Sequence, residues 1–221
     1  MDKIVLTQND KGVGHVGGGA YLKDITLWPK NPKTGELLTP LITTTSTFYP
    51  GDRCVPEGMA LTVFIAAQRF EDGRYNAALQ RRYTITQQED LQAQISNGFA
   101  RVILHELAAE PLVPSDPPLL LGQAFINFEE MTEDEWDEEL GSEEGAAALS
   151  KSSGGPYWLQ DPVYEGNRYQ FHLQLLEPDL IEVDPNYEGI FEDGIGYLFI
   201  DKRARRGQAG DEAGYFFIQY T

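Results

Sequence analysis

The sequence predicts an α+β protein that is predominantly antiparallel β-sheet, and three observations lead to this fold class. Short β-rich runs separated by Gly, Pro, Asn and Asp recur along the 221 residues. One stretch in the middle has the spacing of an amphipathic helix. The two ends of the chain are similar to each other, which predicts an internal duplication of two similar β units with a helical and acidic middle segment.

The strand predictions come from short runs that are rich in β-branched and aromatic side chains. Such side chains fit the pleated surface of a sheet, and the turn residues between the runs favour antiparallel neighbours. The predicted strands are residues 4–7, 61–66, 99–107, 169–176, 196–201 and 215–220, with a further strand around 38–48.

A helix is predicted over residues 87–97. Thr86 and Glu89 have the spacing of a capping box, and apolar residues follow at helical intervals. Gly98 is a typical residue just beyond a helix end. We expect this helix to pack on one side of the sheet.

Negative charge is concentrated in the second half of the chain. Residues 111–221 contain 23 of the 35 acidic residues but only 6 of the 17 basic ones. The acidic segment 129–144 has ten carboxylates and no basic residue. Thr132 and Glu135 again have capping-box spacing, which predicts a short helix over 133–140.

This acidic helix has two interpretations. Met131, Trp136 and Leu140 would lie roughly on one side of it, so it could be a solvated helix that rests on the domain through Trp136. Alternatively, its carboxylates form a surface that engages a basic protein. A calcium loop is not predicted, because the spaced Asp or Asn ligands and the fixed glycine are missing.

The overall composition excludes several classes of partner. A formal net charge of −18 repels nucleic acid and anionic membrane surfaces.

The N-terminal apolar run is too short for a signal peptide, so a cytoplasmic protein is expected. Cys54 is the single cysteine, which excludes an intramolecular disulfide and predicts a structural role for this residue.

Two pairs of segments carry the internal similarity. Gly18-Gly19-Ala20-Tyr21-Leu22 resembles Gly154-Gly155-Pro156-Tyr157-Trp158, and residues 61–65 resemble residues 196–200. The spacing between the glycine pair and the strand also agrees, at 45 positions in the first half and 44 in the second. The predicted repeats are about 1–85 and 150–221, joined by 86–149 within a single domain of residues 1–221.

The glycine-rich elements also carry a resemblance to a known family. Gly18-Gly19-Ala20-Tyr21, then Trp28-Pro29, Asn31-Pro32 and Thr34-Gly35-Glu36-Leu37-Leu38, is similar to the opening of the bacterial YwqG-like proteins. The later run Ser153-Gly154-Gly155-Pro156-Tyr157-Trp158-Leu159-Gln160 is similar to that family's Gly-Gly-x-Pro-x-Trp-x-Gln element. The resemblance covers most of the chain. It implies a largely β fold with internal duplication and no established reaction.

No pattern in the sequence specifies a catalytic or metal site. Residues 12–17 fit G-x-G-x-x-G, but no helix follows that could bind a pyrophosphate. His15, His105 and His172 are too scattered to predict metal ligands, and no G-x-S-x-G is present. We therefore expect no catalytic residue, no metal and no cofactor.

The strand at 169–176 offers a second candidate site. Strict alternation predicts an apolar core face made of Tyr169, Phe171, Leu173 and Leu175. The opposite, polar face would either be solvated or line a groove together with the second glycine-rich element. The candidate groove residues are Tyr157, Trp158, Gln160, Gln170, His172 and Gln174.

Together these patterns favour a non-enzymatic acidic binding protein that captures a cationic protein partner. A bacterial immunity protein that neutralises a basic toxin, such as a nuclease, fits this description. The alternative is a small-ligand or carbohydrate-binding module, or an unrecognised hydrolase, with its groove between the two repeats. The expected partner-binding residues are Glu133, Asp134, Glu135, Trp136, Asp137, Glu138 and Glu139.

Overall fold

The computed structural model describes residues 2–48, 55–79, 84–141, 146–164 and 166–220, so Cys54, Glu143 and Glu144 lie outside it. The strands of the described residues are β1 (Asp2–Thr7), β2 (Gly14–Val16), β3 (Thr39–Thr45), β4 (Met59–Ile65), β5 (Ala67–Arg69), β6 (Tyr75–Ala77), β7 (Ala100–Glu106), β8 (Ala124–Glu129), β9 (Lys151–Ser152), β10 (Tyr169–Leu176), β11 (Ile195–Asp201) and β12 (Gly214–Gln219). The α-helices are α1 (Gln88–Ser96), α2 (Glu133–Gly141) and α3 (Glu177–Val183).

Ten of these strands form one sheet in the order β12-β11-β10-β9-β1-β8-β2-β3-β4-β7. Every pairing between neighbours is antiparallel. Strands β5 and β6 form a separate hairpin. The prediction of a predominantly antiparallel α+β protein is therefore confirmed.

The two ends of the sheet approach each other and nearly close it. Glu212, just before β12, forms a β-bridge with Ile103 of β7. The Ala213 N–H donates to the Val102 carbonyl at 2.9 Å, and the Leu104 N–H donates to the Asp211 carbonyl at 3.0 Å. We call the side of the sheet that bears the main apolar cluster the inner side.

Apolar residues lie on both sides of the sheet. The main cluster takes inner residues from nearly every strand, including Val63 of β4 and Leu198 of β11. A second cluster lies on the outer side of β11 and β12, where Tyr197 and Phe217 pack with Leu91 of α1. Strands β11 and β12 are consequently buried on both sides.

Helix α1 occupies the predicted position but begins differently. Its N-cap residue is Gln87, and no side-chain hydrogen bond caps it. The capping box predicted from Thr86 and Glu89 is therefore wrong. Burial of Leu91 in the second cluster fixes the helix instead.

Two β-bulges interrupt the sheet. In the β3–β4 ladder the register shifts between Pro40 and Ile42. In the β10–β11 ladder it shifts between Phe171 and Leu173, which places His172 in the bulge. An extra residue reverses the alternation of side chains, so residues on the two sides of each bulge no longer keep a common period of two.

Candidate functional site

Helix α2 begins with the capping box that the sequence predicts. The Thr132 hydroxyl accepts a hydrogen bond from the Glu135 N–H at 3.2 Å. In return, the Glu135 carboxylate accepts one from the Thr132 N–H at 2.8 Å. These reciprocal bonds satisfy two main-chain donors that a helix start leaves open, so the acidic segment is helical over Glu133–Gly141.

Two carboxylates, one helical turn apart, hold α2 against the sheet. Glu135 forms an ion pair with Lys3 of β1, and Glu139 forms one with Lys151 of β9, each with an N–O distance of 2.5 Å. Lys3 and Lys151 are direct cross-strand neighbours. The two lysines therefore present a pair of cations at the spacing of an i, i+4 carboxylate pair.

The Glu139–Lys151 pair is almost completely removed from solvent. The side chains are 2% and 0% exposed, respectively. Glu139 also accepts a hydrogen bond from the Ala147 N–H at 2.6 Å, so the buried carboxylate has two donors. Burial lowers the pKa of the Lys151 ammonium, and the hydrogen bond that this ammonium donates to Glu139 opposes the shift.

The nearby Lys3–Glu135 pair is more open to solvent. Its hydrogen bond raises the pKa of the Lys3 ammonium and lowers that of the Glu135 carboxylate. Both shifts favour the charged forms that hold the first turn of α2 in place.

The side of α2 that faces the sheet differs from the predicted one. One of the two interpretations had the helix rest on the domain through Trp136, with Met131 and Leu140 on the same side. Met131 is buried and Trp136 is 37% exposed, whereas Leu140 is 78% exposed. Leu140 therefore does not rest on the domain, since the lysines of β1 and β9 bind the side of the helix that carries Glu135 and Glu139. Glu135 and Glu139 are consequently engaged within the chain and are not free to meet a partner.

The other predicted residues of α2 share an exposed surface. Among the described residues, no ion pair engages its four remaining carboxylates. Two apolar side chains lie among them. We call this set the acidic surface, and it consists of Glu133, Asp134, Trp136, Asp137, Glu138 and Leu140.

The second candidate site is covered by the chain itself. Residues 157–160 lie across β10, β11 and β12 and are held by polar side chains of these strands. The Tyr157 N–H donates to Gln174 at 2.8 Å, and the Tyr157 carbonyl accepts a bond from the Tyr197 hydroxyl at 2.7 Å. Gln219 accepts a bond from the Gln160 N–H at 3.2 Å.

Aromatic stacking completes this cover. The Trp158 ring stacks on Tyr197 with a centroid distance of 5.3 Å and on Phe199 at 6.2 Å. His172 and Gln174 are fully buried. The expectation that these two residues face an open groove is therefore wrong. The second glycine-rich element covers Gln174, and the His172 ring lies in the interior of the fold.

The bulge at His172 also changes which β10 residues share a side. Phe171 is paired with Phe199, which belongs to the outer cluster, whereas Leu173 is paired with Leu198 of the inner cluster. The single core face predicted from strict alternation is thus wrong.

His172 lies in the interior of the fold. Its Nε2 atom is 3.1 Å from the Thr44 hydroxyl of β3, and its ring packs on Phe48 with a centroid distance of 4.5 Å. Burial lowers its pKa to about 3, so the ring is neutral at physiological pH. The residue connects the two halves of the sheet and does not face a ligand.

Comparisons with known proteins do not assign a family. No protein-family model matches the chain, and no curated protein matches it significantly. Among the described residues, no three His, Cys, Asp or Glu side chains converge as they would around a metal ion. No described helix is long and apolar enough to cross a membrane.

Proposed function

We propose that this chain is a non-enzymatic binding protein that captures a cationic protein through the acidic surface of α2. The observation that carries the proposal is that the carboxylates of α2 fall into two sets, one bound to the sheet and one exposed to solvent. Glu135 and Glu139 fix α2 to the sheet, while the other four carboxylates, with Trp136 and Leu140, face solvent.

Preorganisation of the helix and long-range electrostatic attraction both favour binding at this surface. A docked helix presents its charges in a fixed array, so a partner does not have to order them on binding. Clustered charge of one sign steers an oppositely charged protein and raises its association rate. An exposed tryptophan inside such a cluster is a typical hot-spot residue at protein interfaces.

The biological form of this proposal is a cytoplasmic immunity protein that neutralises a basic toxin such as a nuclease. Occlusion explains how it would act, because a carboxylate array resembles the phosphate charge that a nuclease site attracts. The glycine-rich motifs support membership in the YwqG-like family as part of the same proposal.

The test compares two variants with equal charge changes. The α2 variant neutralises the acidic surface, and the control variant neutralises four exposed carboxylates on other elements. The α2 variant carries Glu133→Gln, Asp134→Asn, Asp137→Asn and Glu138→Gln. The control variant carries Glu71→Gln, Glu89→Gln, Glu110→Gln and Glu182→Gln.

Each protein is immobilised and used to capture partners from the source cell, and the retained proteins are identified by mass spectrometry. We expect a basic protein that the wild type and the control variant retain and the α2 variant loses. If both variants lose the basic protein equally, net charge alone determines its capture, and a binding site on α2 is contradicted.

We further infer that the chain is an internal duplication. Strand order supports this, because it reads the same way outward from the central β1–β8 pair, as β8-β2-β3-β4-β7 and as β1-β9-β10-β11-β12. The bulges support it as well. Phe64 and Phe199 occupy equivalent positions in the similar segments 61–65 and 196–200. Phe64 pairs with Pro40 and Phe199 pairs with Phe171, and each partner is the residue just before a bulge.

These matched registers favour repeats longer than the predicted 1–85 and 150–221. The repeats then extend over residues 2–106 and 124–220. The first strand of each repeat, β1 or β8, lies beside the second strand of the other repeat, β9 or β2. Superposing one repeat on the other in a crystal structure should bring the two bulges together. Bulges at unmatched positions would contradict the duplication.

A further inference from the structure

A groove of about 1060 Å³ lies where β3 begins and β4 ends. Three pieces of chain line it: the stretch 25–39, the pair Ala66 and Ala67, and the proline-rich stretch 114–119. None of them belongs to α2. The volume is at the upper limit of small-ligand pockets, which span about 300–1,000 Å³.

The β3–β4 ladder opens at this groove. Thr39 and Ile65 form its last pair. They are a hydrogen-bonded pair, because in the alternative pattern the next pair, Pro40 and Phe64, would exchange the hydrogen bonds, and Pro40 has no N–H to donate. In an antiparallel ladder the next hydrogen-bonded pair lies two residues further along each strand, at Leu37 and Ala67. That pair does not form, and both residues line the groove.

The matching position in the other half of the sheet is closed. There the β10–β11 ladder continues past Gln170 and Ile200, and the Lys202 N–H donates to the Arg168 carbonyl at 3.1 Å. The same architecture therefore supports a closed ladder, and the opening at Leu37 and Ala67 is specific to one half.

The main chain of Leu37 is directed into the groove. Leu37 forms a bridge with Lys30, flanked by bonds from Asn31 N–H to the Glu36 carbonyl (2.7 Å) and from Leu38 N–H to the Pro29 carbonyl (2.9 Å). This pattern makes Leu37 and Lys30 a non-hydrogen-bonded pair. The Leu37 N–H and carbonyl consequently point away from Lys30.

The main chain of Ala67, on the other side of the opening, is also directed into the groove. It pairs with Ala77, and the adjacent bond runs from the Ala78 N–H to the Ala66 carbonyl at 2.8 Å. Ala67 is thus in a non-hydrogen-bonded pair, and its N–H and carbonyl point away from β6. Two donors and two acceptors of strand geometry face the groove.

We propose that this groove binds an extended peptide, which adds a strand between Leu37 and Ala67. A peptide main chain supplies carbonyls to the two N–H groups and N–H groups to the two carbonyls, which is the basis of recognition by strand addition. The charged lining residues are of both signs, Lys30, Glu36 and Asp116, so the groove has no strong preference for an anionic ligand.

The test uses a phage-displayed library of random decapeptides selected on the wild-type protein. Ala67→Pro removes the N–H that faces the groove, and selected peptides should bind this variant at least tenfold more weakly, as expected for about 1.4 kcal/mol. The matched control is Glu71→Pro at the second position of the β5–β6 turn, where the Gly73 N–H bonds to the Phe70 carbonyl and proline is favoured.

A second measurement does not depend on the variants folding. Adding a selected peptide to the wild type should slow hydrogen exchange of the Ala67 amide at least tenfold, since the amide gains an acceptor. The proposal is overturned if no peptide is enriched, if enriched peptides bind Ala67→Pro as well as Glu71→Pro, or if exchange at Ala67 is unchanged.

Discussion

At the level of single residues, the contact that decides the position of α2 is the buried Lys151–Glu139 pair. Removing one member of such a pair leaves a charge in an apolar setting. The neighbouring sheet supplies no second cation at that depth, because Lys3 is bound to Glu135. The pair therefore links the stability of the domain to the placement of the acidic surface.

We predict that Lys151→Met lowers the free energy of unfolding by about 3–5 kcal/mol, since Glu139 remains buried without its partner. The double variant Lys151→Met with Glu139→Gln should recover most of this loss, because the amide oxygen still accepts the Ala147 N–H. Urea denaturation measures both. As a control, Lys23→Met breaks an ion pair with Glu106 that is more than half exposed and should cost less than about 1 kcal/mol.

Buried histidines predict a second residue-level effect, on acid stability. Burial lowers the pKa of His15 to about 4 and that of His172 to about 3, and it also lowers the pKa of His105. In an unfolded chain these rings have a pKa near 6.5. As the pH falls below that value, the unfolded state takes up protons that the folded state does not, so stability decreases.

We predict a loss of about 1.6 kcal/mol for each of His15 and His172 between pH 6.5 and pH 5. Glu177 and Asp179 act in the opposite direction, because burial raises their pKa values and the folded state therefore takes up their protons before the unfolded state does. His172→Leu should reduce the slope of stability against pH by one proton in denaturation experiments. An unchanged slope would show that this ring is already protonated in the fold.

At the level of elements, α2 shows both what the sequence predicts and what it leaves open. The Thr132–Glu135 capping box is local, and it forms as predicted. The docking side depends on Lys3, which is 132 positions from Glu135. The spacing of apolar side chains predicted that α2 docks through its apolar side. The lysine pair that binds the helix is formed by pairing of β1 with β9, so no local sequence pattern indicates it.

Strand β10 shows the same division between local and long-range information. Its bounds agree with the predicted 169–176, because β-rich composition is local. The bulge at His172 leaves no trace in the sequence, since apolar and polar residues alternate through it without interruption. Burial of the strand on both sides is likewise set by residues 157–160 and by distant strands.

Thr132→Ala tests the cap of α2. Loss of the hydroxyl leaves the Glu135 N–H without its acceptor and should cost about 1 kcal/mol. Hydrogen exchange should accelerate in the first turn of α2, whereas the amides of β11 should be unaffected. Equal acceleration in both elements would indicate that α2 unfolds only with the whole domain.

At the level of the whole molecule, strand exchange makes the two halves interdependent. Strand β1 lies between β8 and β9, and β8 lies between β1 and β2. A chain cut in the proline-rich stretch 114–119 would therefore separate β1 from both of its neighbours. The fold requires both halves even though each has its own set of strands.

We predict that fragments 1–115 and 116–221 do not fold separately but recover the native fold when mixed. Circular dichroism during thermal unfolding should show a cooperative transition for the mixture and none for either fragment. A cooperative transition of the isolated C-terminal fragment would show that its inner and outer clusters suffice without β1.

We propose the acidic surface of α2 as the site at which a cationic protein is recognised. Its most direct test is the association rate constant of the captured partner, measured by stopped-flow fluorescence at low and at physiological ionic strength. The α2 variant should associate at least tenfold more slowly than wild type at low ionic strength, because it loses about 1.4 kcal/mol of electrostatic attraction to the partner. The control variant should stay within about twofold of wild type, and salt should narrow the difference. Equal rates for the α2 variant and the wild type would contradict the claim.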